Sequence, residues 1–252
     1  MILFAAQFAV AQDKKAASNC LSAIKISKQF APMEKYGIKL ANTLEIDTSA
    51  CEIRTISAKS AGKDFITVKE AAAANPDALV IMNSSFYNRN TGKIMGFFIE
   101  NGTKGDFAPH ESLNSIFSVA KDGTPSITSA TTLTAEMEKN TVSAVAGKTK
   151  WDIPPDSTCR VAVCLTAGNK VKFVMVYPLD TIAKMTEYLQ KEEGCTSFVH
   201  YDGGGSAQMS LKPKNLVFGW ERFPECTEPA QKSWPDKCFR HAASFLGVFP
   251  KK

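Results

Sequence analysis

Between Val161 and Ser206 the chain carries the pattern that most constrains its fold. Val161–Leu165 and Val171–Tyr177 are apolar runs that read as two strands joined by the turn Ala167-Gly168-Asn169. Asp180 then caps a helix whose apolar Ile182, Met185 and Leu189 fall on one face, and Gly194 ends it. Phe198-Val199-His200-Tyr201 follows as a strand. Strand, helix and strand of this length make a right-handed crossover that sets the two strands parallel. The second strand delivers Asp202-Gly203-Gly204-Gly205-Ser206 to the carboxyl edge of a sheet, where ligands of such sheets usually sit.

The rest of the chain supports the same class. Thr43–Asp47 and Cys51–Ser57 alternate around a polar turn and suggest a hairpin. Thr67-Val68-Lys69-Glu70 fits a capping box, opening a helix through Ala71–Ala74 that Asn75-Pro76 stops. Leu79–Met82 is a short apolar strand running into Asn83-Ser84-Ser85, and Ile116–Ala120 is another, closed by a turn over 121–125. A hydrophobic fraction of 44% with 22% charge over 252 residues excludes disorder, a collagen-like fibre and a membrane-embedded bundle. No repeat or long linker divides the chain. The expectation is one α+β domain over residues 12–252, a mixed sheet with flanking helices, and a loop insertion at 212–240.

Residues 1–11 form an apolar run too short to span a bilayer, ending in Ala9-Val10-Ala11, the small-x-small pattern of a signal-peptide cleavage site. Polar Gln12–Asn19 then reads as a mature N-terminal tail, so the expected location is secreted or periplasmic, with no membrane span. Export makes disulfides the default for the seven cysteines. Cys226 and Cys238 bracket a loop and form the best candidate bridge, worth about 3 kcal/mol by loop closure. Cys164, inside an apolar run, reads as the free buried thiol. With no Cys-x-x-Cys pair and three histidines, a zinc site is not expected.

Three successive glycines behind a strand-end acid let main-chain amides converge on an anion. If Ser206–Met209 begins a helix, its dipole adds to that. A tight surface turn is the plainer reading, but it needs fewer glycines and no acid. A Walker loop fails because Gly205 is followed by Ser206-Ala207, and a Gly-x-Ser-x-Gly elbow is absent. The formal charge of +5 comes without a basic stripe, so nucleic acid is not an expected partner, whereas a small anionic ligand is compatible.

His200-Tyr201-Asp202-Gly203-Gly204-Gly205-Ser206-Ala207-Gln208-Met209 resembles the Asp-Gly-Gly-Gly-Ser signature of the phosphodiester glycosidase family. The family's earlier Asn-Gly-Gly-Phe-Phe motif is similar to Asn83-Ser84-Ser85-Phe86-Tyr87, with Gly96 and Asn101-Gly102 following in order. An Arg-x-Ala strand matches Arg160-Val161-Ala162, and a late arginine matches Arg240. The chain departs from the pattern at Ser84 and Ser85, which replace glycines, and at Tyr87, which replaces a phenylalanine; these changes fall on the expected pocket wall.

The resemblance implies a hydrolase for a sugar-1-phosphodiester of the N-acetylglucosamine-1-phosphate type, in a glycan or envelope polymer. Its catalytic residues would be Asp202, Arg160 and Asn83. Arg160 and Arg240 suit a leaving phosphate, because guanidinium grips it with two parallel hydrogen bonds. The amides of Gly203, Gly204 and Gly205, with Ser206, share that task. Asp202 acts as nucleophile, as base toward water, or as ligand of a cation, and the residues alone leave the three open. No cofactor is required; a divalent cation such as calcium is compatible with the carboxylate. Asn83 could bind a sugar hydroxyl or acetamido group. Glu100 reads as an exposed hairpin charge and His110 and His200 as structural, and Phe218, Trp220, Phe223 and Trp234 anchor the inserted loop or stack on sugar. The rival classes are a non-catalytic carbohydrate or anion-binding module, favoured by Ser84 and Ser85, and an ordinary glycosidase of envelope polysaccharide.

Overall fold

The computed structural model describes residues 2–27, 34–38, 40–149, 158–168, 170–179, 182–219 and 240–251. The Asp180 cap, Asn169, Trp220, Phe223, Trp234 and the Cys226–Cys238 pair lie outside the described residues. Three five-stranded antiparallel sheets share one core in an α+β domain. The first runs in the order Ile24–Ser27, Leu40–Ile46, Val171–Leu179, Thr158–Thr166, Cys195–His200. The second is Pro125–Ser129, Ser115–Ala120, Thr141–Gly147, Phe98–Glu100, Thr103–Lys104. The third is Leu216–Gly219, Gln208–Leu211, Val80–Asn83, Ser244–Pro250, Cys51–Ser57. A short parallel pair, Ile94–Met95 with Phe107–Ala108, stands beside them.

Alternation along the strands explains the layering. In Thr158–Thr166, Val161 and Val163 enter the common core with Phe117, Met82 and Leu246 from the other sheets. Ala162 and Cys164 point the other way, onto Met185, Tyr188 and Leu189 of the helix Ile182–Lys191. This strand is buried on both faces, which is why it reads as one apolar run rather than as alternation. The crossover strands Val171–Leu179 and Cys195–His200 run in the same direction, with Thr158–Thr166 between them and antiparallel to both. The Thr67 capping box is present: the Glu70 amide donates to Thr67 Oγ1 at 3.3 Å and the Thr67 amide to Glu70 Oε2 at 2.7 Å.

Several expectations are corrected. Leu40–Ile46 and Cys51–Ser57 are not a hairpin: the first pairs with Val171–Leu179 and the second with Ser244–Pro250, in different sheets. Asp47 accepts from the Ser49 amide at 2.9 Å and makes the intervening segment a corner. Alternation gives a strand a face without giving it a partner. Gln12–Asn19 is not a tail but part of the helix Ile2–Ser22. Of the segment expected as a loop at 212–240, Leu216–Gly219 turns back on Gln208–Leu211 through Asn215 at φ 49°, and residues 220–239 lie outside the described residues. Phe218 is 5% exposed and belongs to the core.

Cys164 is not the free thiol. Among the described residues Cys20 is bonded to Cys51 and Cys164 to Cys195, and Cys159 is the buried free thiol. Cys164 faces the helix layer, where Cys195 starts the adjacent strand, so its apolar context marked a buried half-cystine. Each bond spans 31 residues. Reducing both is expected to lower the unfolding free energy by roughly 3–4 kcal/mol per bond. Calorimetric melts with and without reductant check this, and Cys159→Ala should leave the reductant effect unchanged.

Candidate active site

Asp202 sits where the first sheet meets the third. The Tyr201 amide donates to the Val161 carbonyl at 3.0 Å, and the Asp202 amide then switches to the Ser84 carbonyl at 3.3 Å. The glycine run follows as one tight turn, with Ser206 donating to the Gly203 carbonyl at 3.2 Å and Ala207 to Gly204 at 3.0 Å. Helix formation at Ser206–Met209 is therefore corrected: a single 3-10 turn, Gly204–Ser206, leads into the strand Gln208–Leu211, so no helix dipole acts here. Strand pairing with Val80–Asn83 claims the residues that a helix would need.

The glycines do different work. Gly204 takes φ +60°, the left-handed region that glycine enters freely. Gly203 has no such need, but a Cβ on it would lie 2.6 Å from the Cys159 carbonyl oxygen and 3.3 Å from Arg160 Cδ. The loop thus lies flat on the Thr158–Thr166 strand, with Arg160 beside it. Among the described residues none of the three glycine amides donates a hydrogen bond, which leaves them for an anion.

Burial raises the Asp202 carboxyl above its ordinary value. The Ser206 hydroxyl pulls it back, as do the charges of Arg89, Arg240 and Arg160. Arg160 is 7% exposed, and Arg240 is partly buried. Asn83 is 1% exposed; its Nδ2 donates to the Asp202 carbonyl at 2.7 Å and its Oδ1 accepts from the Gln208 amide at 2.9 Å. Its amide clamps the two ends of the glycine loop, a positioning task.

Ser84 and Ser85 are not on the pocket wall. Both are buried, Ser84 Oγ donating to Ser244 Oγ at 3.0 Å and Ser85 Oγ to the Met95 carbonyl at 2.7 Å. Glu100 receives the Ser57 amide and hydroxyl, at 3.1 and 2.6 Å, and ties the second sheet to the third.

Three successive carbonyls hold the segment that carries Arg240. Gln208 Nε2 donates to the Arg240 carbonyl at 2.6 Å and Tyr87 Oη to that of His241 at 2.6 Å. The Ile66 amide donates to the Ala242 carbonyl at 3.0 Å. Gln208 is fully buried and also accepts from the Val68 amide at 2.8 Å. Tyr87 therefore fixes the backbone beside Arg240. Tyr87→Phe is expected to lower kcat/KM about tenfold, since small displacements of a charge-positioning group are costly. The melting temperature should move by only a few degrees; steady-state kinetics beside a melt separate the two effects.

His200 is structural, as its sequence context suggests. It is 1% exposed, and burial together with the Arg160 charge holds its pKa down at about 3. The unfolded chain, with the ordinary value of 6.5, takes up a proton that the folded chain refuses. Stability should therefore fall as pH drops from 6.5 toward 3, and His200→Gln should flatten that limb in denaturant titrations against pH.

Beside Asp202 opens a pocket of about 230 Å³. Phe86, Tyr87, Met95 and Leu113 give it apolar walls, and Arg89, His110 and Lys148 join Asp202 as its polar groups. Neither Arg89 nor Lys148 carries a signature in the sequence. Arg89 lies in an Asn-Arg-Asn-Thr-Gly turn and Lys148 just beyond the strand Thr141–Gly147, and no spacing links either to Asp202. Among the described residues no three His, Cys, Asp or Glu side chains gather around a metal-sized space, and Asp202 is the one carboxylate on the pocket wall.

The α+β domain thus puts Asp202, Arg89 and Lys148 on the wall of one pocket, with Arg160, Arg240 and the glycine loop next to Asp202 outside that wall. The family model for phosphodiester glycosidase matches residues 76–249, and the chain belongs to that family. Among solved structures it is similar to the zebrafish N-acetylglucosamine-1-phosphodiester alpha-N-acetylglucosaminidase catalytic domain auto-inhibited by its pro-peptide. That match has a TM-score of 0.63 at 15% identity, covering 90% of this chain and 82% of that one. It is also similar to a hypothetical protein from Synechocystis, TM-score 0.60 at 12% identity, covering 91% and 62%. A third, named as an exported protein of Burkholderia pseudomallei K96243, has a TM-score of 0.57 at 12% identity, covering 83% and 74%. At these identities the structures speak for the fold alone. No curated protein matches the chain.

Proposed function

We propose that the protein is an exported hydrolase of a sugar-1-phosphodiester, of the N-acetylglucosamine-1-phosphate type, in a glycan or envelope polymer. The bond from the anomeric carbon to the phosphate oxygen breaks and the phosphomonoester leaves with the bonding electrons; water then supplies the hydroxyl at that carbon, directly or by cleaving a glycosyl ester to Asp202, and the proton it loses passes to a base or to solvent. A phosphate ester is already a weak base, so charge stabilisation matters more than protonation of the leaving group. Arg160, Arg240, Ser206 and the amides of Gly203, Gly204 and Gly205 provide it. The Asp202 carboxylate faces the developing oxocarbenium ion as nucleophile or as base toward water, and Asn83 holds its loop. Hydrolysis written this way uses no cofactor. A divalent cation such as calcium would have Asp202 as its carboxylate ligand.

The observation that carries this reading is the half-buried Asp202 on the wall of a pocket in a chain of this family. Two disulfides, and no described helix long and apolar enough to cross a membrane, support the exported location. The hydroxyls of Ser84 and Ser85 are bonded to Ser244 and to the Met95 carbonyl rather than presented to the pocket. Incubation with a synthetic N-acetylglucosamine-1-phosphodiester should release free sugar and phosphomonoester. Release no faster than from an Asp202→Asn variant would sink the assignment.

A further inference from the structure

Asp202 cannot fill two roles at once. While its oxygen is bonded to the anomeric carbon it is an ester, and no longer a base. A hydrolysis that passes through that ester needs a second group to take the proton from water. His110 shares the pocket wall with Asp202. Unlike His200, which is 1% exposed, it is open to solvent. Ser112 Oγ lies 2.9 Å from its Nδ1. A hydroxyl both donates and accepts, so this partner suits the neutral imidazole and the imidazolium alike. The turn is built into the body of the domain. The Leu113 amide donates to the His110 carbonyl at 3.0 Å, and the Gly96 amide to that of Ala108 at 2.7 Å. Leu113 is buried, and a Cβ on Gly96 would come within 2.8 Å of its Cδ1. The other titratable or charged groups of the wall are Tyr87, Arg89, Lys148 and Asp202. Arg89 lies in the hairpin closed by the Tyr87–Ile94 bridge, and Lys148 is paired by its main chain with His200.

Exposure suits such a group, because a proton taken from water must afterwards reach solvent, and imidazole is the side chain that ordinarily exchanges protons near neutral pH. We infer that His110 is the catalytic base of the second half of the reaction, with Asp202 the nucleophile of the first. An Asp202 oxygen bonds to the anomeric carbon as the bond to the phosphate oxygen breaks, and the phosphomonoester leaves with the electron pair. Water then gives a proton to His110 Nε2, the nitrogen not turned to Ser112. The water oxygen bonds to the anomeric carbon, and the Asp202 carboxylate leaves with the electrons of the ester bond. The imidazolium passes its proton to solvent. The inference rests on the proposed reaction and fixes which of two roles Asp202 takes, so the sugar keeps its anomeric configuration.

The test is steady-state kinetics of the full chain on a synthetic N-acetylglucosamine-1-phosphodiester, with and without sodium azide, an anion that attacks without a base. His110→Ala should lower kcat about a hundredfold. Its kcat/KM, which runs only to the first bond cleavage, should move by less than about threefold, because phosphate leaves without help from this base. Azide should raise kcat of the variant about tenfold or more and give a glycosyl azide of retained configuration, read by mass spectrometry and NMR. A sample of the variant quenched during turnover should carry one sugar on the peptide that contains Asp202. A residue that only shapes the loop would lower kcat/KM along with kcat and would not be rescued. Wild-type rates in His110→Ala, a loss that azide does not restore, or a sugar of inverted configuration would overturn His110 as the base and leave the hydrolysis standing. No turnover by the wild type would overturn the reaction and the base together.

Discussion

Asp202→Asn is expected to lower kcat/KM for the phosphodiester by at least about a thousandfold, and to raise the melting temperature at pH 7. The loss follows from removing the carboxylate that faces the developing cation. The gain follows from where that carboxylate sits. Burial raises its pKa in the folded state above the ordinary 3.8, against the smaller opposing effects of Ser206, Arg89, Arg240 and Arg160. The folded chain thus holds the proton more tightly than the unfolded chain does. As pH rises through the interval between the two values, stability is lost, and above it the full cost of the buried charge remains. Asparagine keeps the shape without the charge. Melts from pH 3 to 8 should show the variant and wild type converging at the acid end and diverging toward neutrality. Each kcal/mol relieved shows as about 2–4 °C in a chain of this size. A variant less stable than the wild type at pH 7 would contradict the buried-charge account.

Gly203→Ala should damage both stability and activity. Its methyl group would meet the Cys159 carbonyl oxygen at 2.6 Å, and main chain cannot rotate out of the way. The loop must lift from the Thr158–Thr166 strand, at a cost of about 1–3 kcal/mol for an overpacked contact. Lifting displaces Asp202 and its neighbouring amides relative to Arg160, and a shift of about 1 Å in such a constellation costs roughly a hundredfold in rate. Gly204→Ala is the contrast. Its Cβ would come no nearer than 3.4 Å to Thr158 Oγ1, so the penalty there is the left-handed backbone alone, about 1 kcal/mol. Parallel melts and kinetics should rank Gly203→Ala well below Gly204→Ala, and the reverse order would show that the close approach does not hold the loop.

The sequence shows those parts of the fold whose causes are local. The capping box at Thr67, the strand into Asn83, the helix face at Met185 and Leu189 and the strand ending at Asp202 are each fixed by neighbours within a few residues. Partners distant in the chain are not legible in that way. Cys51–Ser57 finds Ser244–Pro250 rather than its neighbour, and Cys164 finds Cys195, because the choice is made by sheets that assemble around a common core. The site divides likewise. Asp202 and its glycines announce themselves, and the family motif brings in Asn83, Arg160 and Arg240. Arg89 and Lys148 have no signature, because only the folded hairpin and the Lys148–His200 pairing carry them to the pocket. Gln208 stands inside the recognised motif, yet its task, holding the Arg240 carbonyl, is visible only in three dimensions.

The central claim is that the bond broken lies between the sugar carbon and oxygen, with Asp202 at that carbon. Hydrolysis of an N-acetylglucosamine-1-phosphodiester in water enriched in oxygen-18, read by mass spectrometry of both products, tests it most directly. The account predicts the label on the anomeric hydroxyl of the released sugar and an unlabelled phosphomonoester, with no turnover by Asp202→Asn. Label on the phosphate would show cleavage at phosphorus and contradict it.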